Sequence, residues 1–371
     1  MIINASVLKN QEYVAFRLRD LYRAYGYAQF KMSKFEEYDL YVRNKSFLIS
    51  DSVITFTDTN GKLMALKPDV TLSIVKNSKD TPGCVQKLYY DEHVYRISGR
   101  SSSYKEITQV GLECLGYLDA YCIGEVLSLA AQSLAEISED YLLDVSHMGL
   151  LSFVVDRIGI SPANRQALLQ CVAKKDLHDA EGLCLSEGIS AERASLLSCL
   201  EQCNGSPDVA LKKLEALFDD APWKTTVAEF GEILSLLPVG NVRVDFSVIN
   251  DMNYYNGIVF QGFVKGIPSD ILSGGQYDNL MQRMEKKSGA IGFAIYLDRL
   301  EALIEPRADF DVDTLLLYDE TVSASRVHEV VRQIAQSGNS VTAQRSVPEK
   351  LTWRRLLKLT ESGVEALETN A

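Results

Sequence analysis

Histidine is scarce in this 371-residue chain, with four residues, and cysteine numbers seven. The thiols, Cys84, Cys114, Cys122, Cys171, Cys184, Cys199 and Cys203, form no Cys-x-x-Cys pair. Cys199 and Cys203 stand one helical turn apart, but two thiols alone are more often core or surface residues than ligands. With so few imidazoles to complete a ligand set, no zinc site is expected. Scattered thiols in odd number, and no charged and apolar leader in the opening MIINASVLKNQEY, suit a reducing cytoplasm. No run of about 18 apolar residues occurs, so no membrane span is expected. Positive charge is also short: 38 Lys and Arg against 50 Asp and Glu, a formal net charge of −12. The densest basic stretch, around Trp353-Arg354-Arg355, is brief. That balance disfavours a chain whose main task is gripping nucleic acid. What remains is an ordinary globular composition, 46% hydrophobic and 24% charged, long enough for two domains.

Residues 11–25 place Val14, Leu18, Leu21 and Tyr25 on one helical stripe, with Gly26 as a stop. A strand is expected over 27–32. Two short strands, 54–57 and 63–66, flank the turn Asp58-Thr59-Asn60-Gly61. They deliver Lys67-Pro68-Asp69-Val70-Thr71 into a short helix, 72–77. Asp69 and Thr71 read either as a helix cap or as a carboxylate and hydroxyl converging on a small ligand. Residues 86–97 and 107–115 form a strand, a serine-rich loop and a return strand. On the return strand Gln109, Gly111 and Glu113 share a face, since side chains repeat every two residues. Such a face either meets solvent or lines a polar pocket. A helix over 121–139 and a strand over 141–146 follow. Residues 150–237 are helical in pattern, carry no identifiable chemistry and break at Gly205-Ser206-Pro207.

The stretch from Asp245 to Leu303 is the centre of the chain. Tyr254 and Tyr255 precede Asn256-Gly257, a hairpin signal, and the strand 258–263. Gly274 and Gly275, in Ser-Gly-Gly-Gln-Tyr277, let the backbone approach something closely. A small-residue strand then turns into an amphipathic helix by 303. Two tyrosines in such a strand are ordinarily core; here they could also face a ligand. Residues 309–371 alternate as strand, helix, strand and a second helix, KLTWRRLLKLTESG.

Three motifs in order carry a resemblance. Pro68-Asp69-Val70-Thr71 comes first. Tyr95-Arg96 and a polar loop follow, with Gln109, Gly111, Glu113 and Gly116 beyond it. The Tyr254-Tyr255-Asn256-Gly257, Gly-Gly-Gln-Tyr277 and Asp298-Arg299 series is third. This order resembles the histidyl-tRNA synthetase family, which holds both class II synthetases and their catalytically silent relatives, the regulatory subunits of ATP phosphoribosyltransferase. The likeness covers about residues 10–150 and 240–303.

The resemblance implies an α+β fold: a class II aminoacyl-tRNA synthetase-like antiparallel sheet core flanked by helices, over residues 1–305. It also implies a helical insertion at about 150–237 and a small, truncated anticodon-binding-like α/β domain over 309–371. Asp69, Thr71 and Gln109 would hold the ammonium of a histidine, Glu113 and Tyr255 its two ring nitrogens, with Tyr254 and Tyr277 lining the pocket. Arg96 and Arg299 match nucleotide-contacting positions. Three features point toward the silent relatives: the missing catalytic arginine, the truncated tail and an Asp in place of a Glu. Asn250 stands where the synthetase has an arginine on the reacting carboxylate, Ser103 where its motif 2 loop supplies one, and Asp69 replaces a glutamate. Losing one preorganised donor costs about 3 kcal/mol of transition-state stabilisation. The expectation is therefore a non-catalytic subunit of the first step of histidine biosynthesis, without cofactor. It would pair with itself through the class II core, bind L-histidine as effector and join the catalytic subunit of ATP phosphoribosyltransferase. tRNA binding is not expected. The alternative is an active or degenerate histidyl-tRNA synthetase.

Overall fold

The structure, a computed structural model, describes residues 9–44, 53–97, 103–249, 255–302 and 310–370. The chain divides into two compact units, Met1–Ala302 and Leu303–Ala371. In the first unit the strands are β1 (Ala28–Gln29), β2 (Phe35–Glu37), β3 (Thr55–Thr57), β4 (Leu63–Leu66), β5 (Val85–Ile97) and β6 (Tyr104–Gly116). They continue with β7 (Tyr141–His147), β8 (Val242–Val244), β9 (Ile258–Val264), β10 (Leu272–Gln276) and β11 (Gly289–Tyr296). Eight of them form one sheet in the order β1-β5-β6-β11-β10-β9-β7-β8, and β2-β4-β3 form a small second sheet. The large sheet is antiparallel from β5 through β7, with parallel pairs only at its two edges.

Three helices precede the long β5–β6 hairpin, α1 (Asn10–Ala24), α2 (Tyr38–Arg43) and α3 (Thr71–Asn77), and a fourth, α4 (Ala120–Ala135), follows it. On one sheet face α1 and α4 pack over Leu112 and Phe293. There Tyr22 lies 6.2 Å from the Tyr89 ring and 6.1 Å from that of Phe293, as tilted and edge-on pairs. The buried stripe of α1 is Val14, Ala15, Leu18 and Tyr22, so Tyr25, expected inward, stays exposed. The opposite face carries Leu88, Tyr90, Leu115 and Ala290, covered by Ala65, Val70, Ile74, Tyr277 and Leu280.

The insertion is seven helices: α5 (Met148–Ile158), α6 (Pro162–Ala173), α7 (Leu177–Ser186), α8 (Ala191–Ala194), α9 (Leu196–Glu201), α10 (Pro207–Leu217) and α11 (Ala221–Leu234). His147 caps α5 by accepting the Leu150 N–H, and Gly159, at φ 78°, ends it. A last helix, α12 (Asp278–Arg283), follows β10, and the segment after β11 is a 3-10 helix, Leu297–Ala302, rather than the α-helix expected.

The arm of the hairpin expected before Asn256-Gly257 falls on residues 250–254, outside the described residues. β9 pairs with β7 and β10, and strand β8 pairs with β7. Asn256 is held through its side chain: its amide bonds both the carboxylate and the backbone N–H of Asp278, so its turn chemistry serves a long-range contact. The strand expected over 27–32 is reduced to β1, two residues on the sheet edge.

The second unit contains β12 (Val312–Tyr318), α13 (Ala324–Gln336), β13 (Val341–Gln344), β14 (Trp353–Thr360) and β15 (Gly363–Thr369), in sheet order β13-β12-β14-β15. Here KLTWRRLLKLTESG, expected as a helix, is strand β14 and a turn. Its Leu and Lys residues favour helix locally, but β12 offers an open parallel edge, Leu316 opposite Leu357. Taking that edge buries Leu359 with Leu316 and Val330. Ladder and core together override local propensity.

Candidate functional site

The period-two face of β6 becomes the floor of a cleft. In register, Gln109 lies beside Tyr296, Gly111 beside Ala294 and Glu113 beside Gly292 on β11. One strand further, Ser273 and Gly275 on β10 stand beside Ala294 and Gly292. The floor is therefore paved with small residues. A Cβ on Gly292 would overlap Glu113 Oε2 and lie 2.5 Å from Leu112 O, and one on Gly275 would lie 2.5 Å from the Tyr255 ring. These glycines give the glutamate and the tyrosine their places. The resulting cleft has about 430 Å³ of empty space, counting the part open to solvent.

Glu113 is 2% exposed at the base. Its Oε1 accepts the Thr71 hydroxyl at 2.7 Å, and Oε2 accepts the Tyr277 hydroxyl. Burial pushes its carboxyl up to about 8, although both hydroxyls pull the other way. Among the described residues its hydrogen-bond partners are these two neutral hydroxyls. Asp69 is also buried and raised by burial, with the Leu72 N–H and Arg96 opposing. Both readings of Asp69 hold together: Oδ1 caps α3 through the Leu72 N–H at 2.9 Å, and the side chain lines the cleft. Tyr90 and Tyr255 are held well above the ordinary phenol range by burial and by the neighbouring acids, so both stay neutral hydroxyls.

Of the residues expected at the site, Asp69, Thr71, Gln109, Glu113, Tyr255 and Tyr277 line this one cleft, with Arg96 at its side. Arg96 donates Nε to Pro68 O at 3.1 Å, while its Nη2 is buried with no hydrogen-bond partner. That nitrogen is suited to a carboxylate or phosphate oxygen. Arg299 is not part of the wall; its guanidinium pairs with Asp270 at 2.9 Å and stacks 4.2 Å over the Tyr296 ring. Tyr254 and Asn250 lie outside the described residues, and Ser103 is exposed. Among the described residues no three His, Cys, Asp or Glu side chains gather as metal ligands.

Sequence reasoning missed Tyr90, Ser273, Gly292 and Tyr296. Tyr90 sits opposite Gly111, and its hydroxyl would be 2.6 Å from a Cβ there. An alternation count along 86–97 could have put Tyr90 on one face, but not opposite Gly111. Chemically, the cleft offers two buried carboxylates, neutral phenols, an amide and one guanidinium nitrogen.

The family model described as histidyl-tRNA synthetase matches residues 5–300. An ATP phosphoribosyltransferase regulatory subunit of Oceanobacillus iheyensis is 26% identical over 349 residues, 88% of this chain and 85% of that protein. A histidine–tRNA ligase of Methanocaldococcus jannaschii is 26% identical over 311 residues, 82% of this chain and 74% of its own. A Bacillus halodurans structure, described as an ATP phosphoribosyltransferase regulatory subunit/histidyl-tRNA synthetase, superposes with a TM-score of 0.73 at 23% identity. It covers 90% of this chain and 88% of the other. That likeness shows a shared fold.

Proposed function

The chain belongs to the histidyl-tRNA synthetase family, and on that premise we propose that it is a regulatory subunit of ATP phosphoribosyltransferase, sensing L-histidine for feedback on histidine biosynthesis. The observation that carries this reading is Glu113, a buried carboxyl group whose hydrogen-bond partners among the described residues are neutral hydroxyls, on a floor cleared by glycine. An imidazole N–H is a good complement for it, and a neighbouring phenol can donate to the second ring nitrogen. A site built on such buried pairs rejects analogues strongly, because its polar groups would go unpaired. Asp69 and Gln109 would take the ammonium, and the idle nitrogen of Arg96 the carboxylate.

On this reading the subunit is cytoplasmic, pairs with itself and holds catalytic subunits, and histidine favours one arrangement of the assembly. No described helix is long and apolar enough to cross a membrane. Coupling of this kind is about 1–3 kcal/mol and reciprocal, so the partner alters histidine affinity by the same factor. It performs no chemistry itself: Asn250 and Ser103 stand at the two arginine positions that the synthetase resemblance calls for.

The test is calorimetric titration of L-histidine into the purified chain, with Glu113→Ala and Tyr255→Phe as controls. It is paired with reconstitution of phosphoribosyltransferase activity from a short-form catalytic subunit. Saturable binding lost in both variants, together with histidine-sensitive activity, is the expected result. Absence of binding at millimolar histidine would overturn the sensing role. The second reading, a tRNA-charging enzyme, draws on the Methanocaldococcus jannaschii match and on Arg96 at the cleft. ATP–pyrophosphate exchange dependent on histidine would establish it in place of the first.

A further inference from the structure

Tyr90 lines the cleft, yet the histidine reading gives it no task. It is 2% exposed, on β5, directly across from Gly111 on β6. Its ring lies down over that glycine. A Cβ at Gly111 would stand 2.6 Å from the Tyr90 hydroxyl and 2.7 Å from Cζ, and would also run into Phe293 O. The glycine is bare because a phenol occupies the space above it, and the hydroxyl is thereby delivered to the middle of the β6 face. Gln109 and Glu113 flank Gly111 on that face, each two residues away, or about 7 Å along the strand.

The empty fold does not use this hydroxyl. Among the described residues it makes no hydrogen bond, whereas Thr71 and Tyr277 both donate theirs to Glu113. A buried polar group left without a partner costs free energy, so an unpaired one bordering a cleft points to a ligand. After burial itself, the groups that act on Tyr90 most strongly are Glu113 and Asp69, then Tyr296 and Tyr255. Two of these are acids. The phenol proton turns toward them, which leaves the oxygen lone pairs for a donor that enters the cleft.

The ammonium of an amino acid brings three N–H donors. On the histidine reading, Asp69 and Gln109 accept two of them. Thr71, expected beside them, turns its hydroxyl to Glu113 at 2.7 Å. We propose that Tyr90 is a specificity-determining residue of the cleft, its phenolic oxygen accepting the third ammonium N–H of the bound amino acid. The assignment rests on the histidine reading and adds to it a residue that sequence reasoning missed. Through Tyr90 the cleft tells an amino acid from its deaminated counterpart, using a group that the empty protein leaves unpaired.

The experiment compares the full-length wild type with Tyr90→Phe, which keeps the ring over Gly111 and removes the hydroxyl. L-Histidine and imidazolepropionate are titrated into each by calorimetry, and melting temperatures are taken without ligand. Imidazolepropionate keeps the ring and the carboxylate of histidine and lacks the ammonium. In Tyr90→Phe the affinity for histidine should fall roughly tenfold or more, because a hydrogen bond to a charged group is lost, while imidazolepropionate binds as it does to wild type. The melting temperature should hold at the wild-type value or rise. Equal histidine affinity in the two proteins overturns the assignment and leaves the histidine reading standing. Equal weakening of both ligands puts the hydroxyl on the ring or the carboxylate and overturns it as well. A lowered melting temperature, showing that the fold itself uses the hydroxyl, does the same. Wild type that binds no histidine at millimolar concentration overturns the histidine reading, and the assignment falls with it.

Discussion

Replacing Glu113 by glutamine removes an ionisable carboxyl but keeps the shape, and the structure says the empty protein should become more stable. The unfolded carboxyl titrates near 4.5, the folded one at about 8. The folded-state value is raised, so stability is complete below the unfolded value and declines as pH rises toward the folded one. By about pH 7 the decline amounts to about 3 kcal/mol, at about 1.4 kcal/mol per pH unit. Glutamine escapes it. Against that gain, the new amide must offer an N–H to a hydroxyl that formerly donated, at Tyr277 or Thr71, which costs about 1 kcal/mol. The net expectation at pH 7 is stabilisation by about 2 kcal/mol, disappearing near pH 4.5. Urea unfolding of the two proteins at both pH values measures it. Histidine titration of the same samples should show binding weakened more than about tenfold, since the ring N–H loses its charged acceptor. Equal stability at pH 7, or an equal gain at both pH values, would refute the idea that Glu113 is a buried acid kept at a cost to the fold.

Gly292→Ala should destabilise by about 1–3 kcal/mol, because its methyl overlaps Glu113 and presses on Leu112 O, a backbone atom that cannot rotate away. Calorimetry should show lost histidine binding in the same variant; retained binding would mean the floor is not where the ligand rests. His147, held down to about 4 by burial, caps α5 with an unprotonated Nδ1. Its folded value is lowered, so its stabilisation is present above about 6.5 and is lost as pH falls toward 4. Discounted for its partial exposure, this is about 1–2 kcal/mol. His147→Asn, which keeps a capping oxygen, should flatten that part of the acid limb in thermal melts from pH 7 to 4.5.

The sequence by itself determined the local pieces. Period-two alternation put Gln109, Gly111 and Glu113 on one face, and that face proved to be the cleft floor. Turn chemistry at Asp58-Thr59-Asn60-Gly61 located the β3–β4 hairpin, and helical periodicity located the helices of residues 150–237. Motif order named the family, and six of the proposed histidine-binding residues proved to share one cavity. Only the tertiary structure decided what depends on register between strands distant in the chain. Gly292 lies opposite Glu113, and Gly275 beneath Tyr255, because β6, β11 and β10 pair in one particular frame. Tyr90 reaches the cleft, and Tyr277 serves as donor to Glu113, for the same reason. Residues 353–360 became a strand because β12 presented an unfilled edge, and Asn256 bonded Asp278, distant from it in the chain. Alternation tells which face a side chain takes; hydrogen-bond ladders and core closure, acting over a hundred residues or more, tell what it meets there.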